Sequence, residues 1–576
     1  MVNRSFHIRI LYLSGYAIPV GIVAALAAVG FRYLIALVGN LLFMGDFSFA
    51  MDMQDAIASR WGAAVVIIPA IGIFLASLIT RRLAPEARGH GVPEVMYAVV
   101  EDGGRIRPVV SFVKLIASAL TIGSGGSAGT AGPIIQMGAG FGSSVAQLFK
   151  LSPREVIILV GAGVAGSVAA TFNAPIGGLF FAIELILPEY SLMTIMPLVV
   201  ASIVATHIAG LLLGGAATLP IPTYTLVSSA EFPIYIVLGF LAALAAVGYI
   251  KGLYGAQNVF NRLRIHPQFK AVIGGVTVGL MGLGIFLLSG RYHVFGVGFP
   301  FIASILTGEH FALPLLLLLV VAKIIANGIT LASGGSGGVF APSLFVGAAV
   351  GAAVGQVANT LFPEITSPAS AYALVGMAAV LAGTTGGTVT AITITFELTR
   401  NYEIMLPLML SVVIAHFASQ AIEPQTIYTK KLSRRGIYID HDKIGSLFKI
   451  TPVREVTQEA LVALAPHNSV SDAIRVLAQE NLDSVPVISD GRVLGIVAYR
   501  DVFDSPPDDH IAHHYRAVDI SIPGSTDSLR AMEKMAREHC NILVVTQGDE
   551  IVGYVTRSVI MQAYFEKRDL ELESRN

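Results

Sequence analysis

The chain has 576 residues, of which 13% are charged, and its mean hydropathy is +0.72. Soluble domains carry about 25% charged residues, so this composition excludes a soluble globular protein and indicates an integral membrane protein. The net charge of −1 gives no basic field for nucleic acid, and the single cysteine, Cys540, excludes an intrachain disulfide and a cysteine-based metal cluster. We therefore expect neither a nucleic-acid partner nor a metal.

The N-terminal apolar run is too long for the hydrophobic core of a signal peptide and is interpreted as the first membrane helix. The segment after the second span carries five arginines, whereas the segment after the first carries one basic residue. Because positive charge is concentrated in cytoplasmic loops, we expect a multi-pass protein of the cell (inner) membrane with both termini in the cytoplasm. Apolar segments near the length that crosses a bilayer are predicted at residues 18–39, 61–80, 193–215, 232–254, 271–289, 310–331 and 404–422.

Two glycine-serine loops interrupt the apolar segments. GSGGSAGTAGP at 123–133 and ASGGSGGVFAP at 332–342 share one layout at an offset of 209 residues. Paired, Gly/Pro-interrupted segments in two halves of a membrane chain indicate a transporter whose site lies between the repeats. Irregular backbone is tolerated at membrane depth only where it is buried in protein or lines a wet cavity.

Each loop leads into a helix, because Pro133 and Pro342 stand where a first helical turn is expected. The free N–H groups and the positive dipole end of such a helix attract an anion without a fixed lysine or arginine. A different interpretation of the same spacing is that the glycines only let helices pack closely in the membrane. The spacing alone leaves both interpretations open.

From about residue 437 the charges become dense, and a soluble domain is predicted. Residues 469–502 and 525–559 share an order of amphipathic helix, apolar strand, turn and apolar strand. The two repeats resemble a tandem pair of CBS domains. The expected organisation is a transmembrane domain at 1–436 and a cytoplasmic domain at 445–576, with repeats at about 450–505 and 515–568.

The membrane part resembles the CLC chloride channels and chloride/proton exchangers, and the resemblance covers essentially the whole chain. The segments that carry it are GHGVPEV (89–95), GTAGP (129–133), FNAPIGGLFFAIE (172–184), GVFAP (338–342) and FELT (396–399). The resemblance implies an all-α polytopic fold of two inverted halves, broken helices that meet at an anion site, a homodimer, and an α/β CBS pair. The anion-binding residues that it implies are Gly89, His90, Gly91, Val92, Val339, Phe340, Ala341 and Tyr428 at a central site, and Thr130, Ala131 and Gly132 at an outer one.

The sequence departs from the family pattern at three positions. Ala131 replaces the glutamate that gates the pore and shuttles protons, and Leu185 occupies the position of the second proton-carrying glutamate. An apolar side chain neither binds nor releases a proton, so passive chloride flow is expected. His90 replaces a serine and could make conduction pH-sensitive, because a histidine with an ordinary pKa of about 6.5 becomes a cation in acid. A second interpretation of His90 is a solvated side chain in the cytoplasmic vestibule.

Nucleotide binding by CBS domains usually needs a Thr or Ser and an Asp three residues later. The first repeat has Ala498 and Asp501, and the second has Thr556 and Val559, so each keeps half of the pair. This disfavours an adenine nucleotide, and no cofactor is required. The alternative functions are a chloride/proton antiporter with a rerouted proton path and a CBS-regulated sensor or transport regulator. An enzyme is not expected, since no cluster of nucleophile, base and orienting group is visible.

Overall fold

The structure is a computed structural model. It divides into two compact units, Met1–Ile439 and Asp440–Asn576. The predicted start of the cytoplasmic domain at residue 445 lies outside the described residues. These residues are 2–49, 59–187, 191–214, 224, 226–399, 401–437, 451–459, 462–480, 482–548 and 550–564.

The first unit is built from α-helices, many of which begin with proline in the first turn, where its missing N–H costs nothing. In chain order the helices are α1 (Val2–Gly39), α2 (Ile68–Leu83), α3 (Val92–Glu101), α4 (Pro108–Gly123), α5 (Ala131–Leu148), α6 (Pro153–Phe172), α7 (Pro175–Phe181), α8 (Leu192–Leu213), α9 (Phe232–Arg262), α10 (Pro267–Ser289), α11 (Phe299–Leu306), α12 (Leu313–Ser333), α13 (Phe340–Leu361), α14 (Ala369–Thr385), α15 (Thr388–Thr399), α16 (Met405–Ile422) and α17 (Thr429–Ser433).

Within the described residues, nine helices are long and apolar enough to cross a membrane, two more than the seven predicted segments. The additional two are α6 and α13, which are 94% and 78% buried inside the protein over their most apolar windows. Both are rich in glycine and alanine, small residues that let neighbouring helices approach closely in a membrane. They were missed in the sequence because these glycines interrupt their apolar runs.

The two halves of the first unit exchange matching hydrogen bonds. The N–H of Ser127 donates to the hydroxyl of Thr330, and the N–H of Ser336 donates to the hydroxyl of Thr121, both at 3.1 Å. Both the donors and the acceptors are 209 residues apart, the offset of the two glycine loops. The two halves therefore meet at their loops with approximate two-fold symmetry.

A second reciprocal exchange joins α7 and α15. Glu184 accepts from the first turn of α15, and Glu397 accepts from the first turn of α7. A carboxylate at a helix N-terminus is stabilised by the free N–H groups and the dipole there, so both glutamates join one half to the other. The backbone donors, with their N···O distances, are Val389 (3.0 Å), Thr390 (2.8 Å), Ile176 (3.0 Å) and Gly177 (2.6 Å).

The second unit contains two copies of a helix followed by a β-hairpin, in the predicted order. The first hairpin is antiparallel; in the second repeat the short β3 pairs parallel with β4, which pairs antiparallel with β5. Cys540 is buried, at 4% exposure. The elements are α18 (Val470–Gln479), β1 (Ser484–Ser489), β2 (Arg492–Ala498), α19 (Tyr499–Val502), β3 (Ser521–Pro523), α20 (Ser528–Arg537), β4 (Ile542–Gln547) and β5 (Glu550–Thr556).

Candidate functional site

Three helices begin next to one another inside the first unit, and the loops that precede them are bonded together. Gly129 and Gly338 exchange two backbone hydrogen bonds, at 2.8 and 2.6 Å, which join the loop before α5 to the loop before α13. The N–H of Gly337 donates to the carbonyl of Gly89 at 3.3 Å and brings in the loop before α3. The first-turn N–H groups of three helices are therefore concentrated in one buried region.

Glycine is required where these loops touch. A Cβ at Gly132 would lie 2.1 Å from the carbonyl oxygen of His90, and a Cβ at Gly91 would lie 2.8 Å from the carbonyl oxygen of Gly132. Gly91 also has a φ of +89°, a conformation that other residues rarely adopt. These glycines are therefore needed so that the backbones of the three loops can touch. This is a more specific role than close packing between helices.

His90 stands at this meeting point with its side chain unsatisfied. It is fully buried, and neither ring nitrogen has a hydrogen-bond partner among the described residues. A solvated position in a vestibule is therefore wrong. Because an unpaired buried polar group costs about 1–3 kcal/mol, such a side chain in a native site calls for a ligand or a water.

Tyr428 faces the same place. Its ring centroid lies 6.2 Å from that of His90, and its exposure is 1%. Its hydroxyl makes no hydrogen bond to any residue that the structure describes. Two neighbouring side chains, one just before α17 and one just before α3, thus present hydrogen-bonding groups that no described residue satisfies.

Lys114 supports the loop that carries His90. Its ammonium group is fully buried and donates to the carbonyl oxygens of Ala87 at 3.0 Å and Gly89 at 2.6 Å. Lys431, which would lie 3.0 Å from a Cβ at Gly89, is paired with Glu94 at 2.6 Å. The partners that the described residues give to the amine of Lys114 are these two carbonyls, which fix the loop before α3.

The loop before α13 is fixed from behind by polar side chains. The hydroxyl of Tyr249 donates to the amide oxygen of Asn327 at 2.8 Å and to the carbonyl of Val339 at 3.2 Å. Asn327 in turn donates to the carbonyl of Ser127 at 2.8 Å. These bonds fix the backbone of the loop at the start of α13. The ring of Phe340, the first residue of α13, packs against the ring of Phe172, with the two centroids 5.1 Å apart.

The two positions that lack the expected glutamates are apolar and well packed. Ala131 is the first residue of α5 and is 2% exposed. Leu185 lies in the π-helical turn Ala182–Ile186 that follows α7, close to Gly387, where a Cβ would lie 3.1 Å away. Neither position places a titratable side chain in the protein interior.

The structure brings most of the predicted residues together and adds others that sequence reasoning missed. The predicted residues gathered at the three helix starts are Gly89, His90, Gly91, Val92, Thr130, Ala131, Gly132, Val339, Phe340, Ala341 and Tyr428. The missed ones are Tyr249, Asn327 and Lys114. A signal for Lys114 was present, since Lys323 repeats it at the same offset of 209 residues and also donates to loop carbonyls.

The two predicted nucleotide contacts lie in the second unit, where both make local bonds. The carboxylate of Asp501 accepts from the N–H of Ala498 at 2.9 Å, at the start of α19. The hydroxyl of Thr556 accepts from the N–H of Val559 at 3.3 Å and bonds to the hydroxyl of Ser558 at 2.9 Å. Adenine nucleotide binding remains a prediction.

Comparisons with known proteins agree with this architecture. The sequence profile described as "Voltage gated chloride channel" matches residues 72–420, and the CBS domain profile matches residues 453–508 and 517–566. The H(+)/Cl(-) exchange transporter ClcA of Vibrio cholerae (strain ATCC 39541) is 30% identical over 440 residues, which are 74% of this chain and 89% of that protein. A putative chloride channel protein, ClcB-like, of Ralstonia nicotianae is 29% identical over 419 residues, 72% of this chain and 95% of that protein.

Solved structures show the same fold. A slow cyanobacterial Cl-/H+ antiporter aligns with a TM-score of 0.64 at 25% identity, over 73% of this chain and 97% of its own. A eukaryotic CLC transporter aligns with a TM-score of 0.60 at 19% identity, over 95% and 98% of the two chains. The chain is thus an integral, multi-pass membrane protein that belongs to the CLC family of voltage gated chloride channels and transporters and carries a C-terminal pair of CBS domains.

Proposed function

We propose that this protein conducts chloride, or a similar small anion, passively through the site between its two halves. The observation that carries the proposal is His90, a fully buried imidazole with two unpaired nitrogens at the meeting point of three helix starts. A dehydrated anion accepts hydrogen bonds from such donors and benefits from the positive ends of the helices.

The proposed binding residues form two consecutive positions. The inner position uses the ring of His90, the hydroxyl of Tyr428 and the backbone N–H groups of two helix starts, in Gly89, Gly91, Val92, Val339, Phe340 and Ala341. The outer position uses the start of α5, in Thr130, Ala131 and Gly132. Backbone dipoles bind an anion more weakly than a fixed lysine or arginine would, and conduction requires binding that is weak enough for the ion to leave.

Uncoupled flow is supported by the side chains at positions 131 and 185. A proton crosses a dry pore only along groups that titrate, and Ala131 and Leu185 do not titrate. A second candidate is chloride/proton exchange, favoured by the relatives that are named exchange transporters. In that mechanism His90 would carry the proton, because it is the titratable group at the centre of the site.

The assembly that goes with this function is a homodimer in the cell (inner) membrane, with both termini in the cytoplasm. The arginines that follow the second predicted span support the orientation through the preference of positive charge for the cytoplasmic side. The CBS pair would regulate flux or stabilise the dimer without a required cofactor. A chain whose main role is sensing through the CBS pair would show no flux of its own.

Flux from liposomes tests the proposal. The purified protein is reconstituted with chloride inside, the membrane potential is set by potassium and valinomycin, and external chloride and internal pH are followed together. We expect rapid chloride efflux, no uphill proton movement and a particle mass of two chains. Proton movement driven by a chloride gradient would show that the protein is an exchanger and not a passive conductor. An absence of chloride flux would favour a protein whose main role is sensing through the CBS pair.

A further inference from the structure

A cavity of about 410 Å³ lies beside the second copy of the loop that carries His90. Gly296–Pro300 (GVGFP) repeats Gly89–Pro93 (GHGVP), and each precedes a short helix. The N–H of Ala128 donates to the carbonyl of Gly296 at 3.2 Å, as that of Gly337 donates to Gly89. The proposed anion pathway uses the first copy, so the second copy and its cavity have no assigned role.

The cavity contains a cationic side chain that no described residue neutralises. Arg32, on α1, lines it and makes no hydrogen bond or ion pair with the residues that the structure describes. A cationic side chain within a membrane helix is costly, and those that occur are usually paired or face a cavity. Arg291, at the same cavity, is engaged by Glu309 at 3.1 Å and by the hydroxyl of Ser304 at 3.2 Å. Arg32 is therefore the cation with a free guanidinium here.

A buried polar side chain without a partner also lines the cavity. His293 is 7% exposed, and its ring packs edge-on against Phe301 and Phe311, with centroids 5.3 and 5.6 Å apart. No described residue makes a hydrogen bond to it. The helix α11 starts at the same wall and adds the positive end of its dipole. The guanidinium of Arg32, the imidazole of His293 and the start of α11 thus give the cavity donors for an anionic acceptor.

The rest of the wall is apolar and much of it aromatic. Its aromatic residues are Phe43, Tyr292, Phe295, Phe299 and Phe301. A volume of this size, with apolar walls and a few convergent polar groups, is typical of sites for organic ligands. A single inorganic anion would leave most of the volume unfilled and the aromatic wall without a contact.

We propose that this cavity binds an organic carboxylate with an apolar body, whose carboxylate contacts Arg32 and His293 and whose body packs on the aromatic wall. A guanidinium offers a planar fork of donors that matches a carboxylate with two parallel bonds. Free aromatic acids and membrane fatty acids share this chemistry. The site is separate from the proposed anion pathway and does not depend on whether flux is passive or coupled.

Binding to the full-length protein in detergent provides the test. Trp61 is the single tryptophan of the chain, and its indole N–H donates to the carbonyl of Leu42 at 2.9 Å, next to Phe43 in the wall. Its fluorescence, together with titration calorimetry, is followed as benzoate, oleate or the neutral benzyl alcohol is added, with empty micelles subtracted. If the natural ligand is a free aromatic acid, benzoate should bind saturably and benzyl alcohol should not. If the natural ligand is a membrane fatty acid, only oleate should bind. Binding of neither acid would overturn the proposal.

Two variants distinguish binding of the carboxylate in this cavity from non-specific binding to the protein or the detergent. Arg32→Gln should weaken carboxylate binding at least tenfold. His293→Phe, which keeps an aromatic ring between Phe301 and Phe311, should weaken it several-fold. Arg264→Gln removes an equal charge from an exposed position and should leave binding unchanged. Thermal unfolding and gel filtration verify that each variant is folded. Equal affinity in the wild type and in both cavity variants would place the ligand elsewhere and overturn the proposal.

Discussion

At the scale of single residues, His90 is held in positive surroundings. The ammonium of Lys114 is bonded to the carbonyl of the preceding residue, Gly89, and Lys431 approaches the same glycine. Arg435 is paired with Glu94 at 3.2 Å, close behind Lys431. A proton on the imidazole is repelled by these charges unless an anion lies against the ring. Binding of a proton and of an anion at His90 should therefore assist each other, and this coupling must be reciprocal.

This coupling predicts a pH dependence of chloride binding. On acidification from pH 8 to pH 5.5, the wild-type Kd should fall by about fivefold, because a hydrogen bond from a charged donor is worth roughly 1 kcal/mol more than one from a neutral donor. His90→Ser should bind chloride through its hydroxyl with little change across this range, and His90→Phe should bind poorly at either pH. Calorimetric titration of the purified protein with chloride measures all three.

The serine variant is the decisive control. If His90→Ser kept the wild-type slope with pH, the proton would reside on another group and the assignment of pH sensitivity to His90 would be wrong. A wild-type Kd that is independent of pH would show that the ring stays neutral with the anion bound.

At the scale of elements, the two halves are tied by carboxylates that cap the opposing helices. Glu397 accepts two backbone N–H bonds from the start of α7, and Glu184 accepts the equivalent pair from α15. These glutamates lie in FNAPIGGLFFAIE (172–184) and FELT (396–399), two of the segments that carry the family resemblance. Their position gives each helix start an acceptor that the apolar surroundings lack, so we assign them a structural role.

Substitution of Glu397 tests this role. Glu397→Gln keeps one acceptor oxygen but loses the charge and should cost about 1 kcal/mol, whereas Glu397→Ala removes the acceptor from the N–H groups of both Ile176 and Gly177 and should cost about 2–3 kcal/mol. Thermal unfolding in detergent should show the same order of midpoints. The exposed Glu364→Gln serves as the control and should not shift the midpoint. A transport role would instead reduce flux without a loss of stability.

The elements also show how far sequence reasoning reached. The glycine loops, the helices that follow Pro133 and Pro342 and the order of elements in both C-terminal repeats are visible in the sequence, because proline, glycine and period-two strands act locally. The helices α6 and α13 were missed because glycines interrupt their apolar runs. The sequence does not show that His90 is unpaired or how Tyr249 and Asn327 are bonded. These features depend on which distant loops come into contact, and a local sequence pattern does not contain that information.

At the scale of the whole molecule, the proposed pathway lies entirely in the first compact unit. Its residues run from Gly89 to Tyr428, and the unit extends to Ile439. The second unit keeps hydrophobic clusters of its own in both repeats, one around Val485 and Val497 and the other around Val544 and Val555. Each unit thus has hydrophobic clusters of its own, and the residues proposed for the anion site belong to the first unit.

A chain that ends at residue 437 should therefore keep passive chloride flux. Every donor proposed for the anion is present in it, so the dependence of the flux on His90 should persist, with His90→Phe reducing flux at least tenfold in the truncated and the full-length chains alike. The rate per particle and its dependence on pH are compared in liposomes, and the particle mass measures whether the pair of chains persists.

A truncated chain that is folded and dimeric but conducts no chloride would assign the second unit a direct part in opening the pore. A truncated chain that conducts faster than the full-length one would assign the second unit an inhibitory part, because the truncation removes all of that unit.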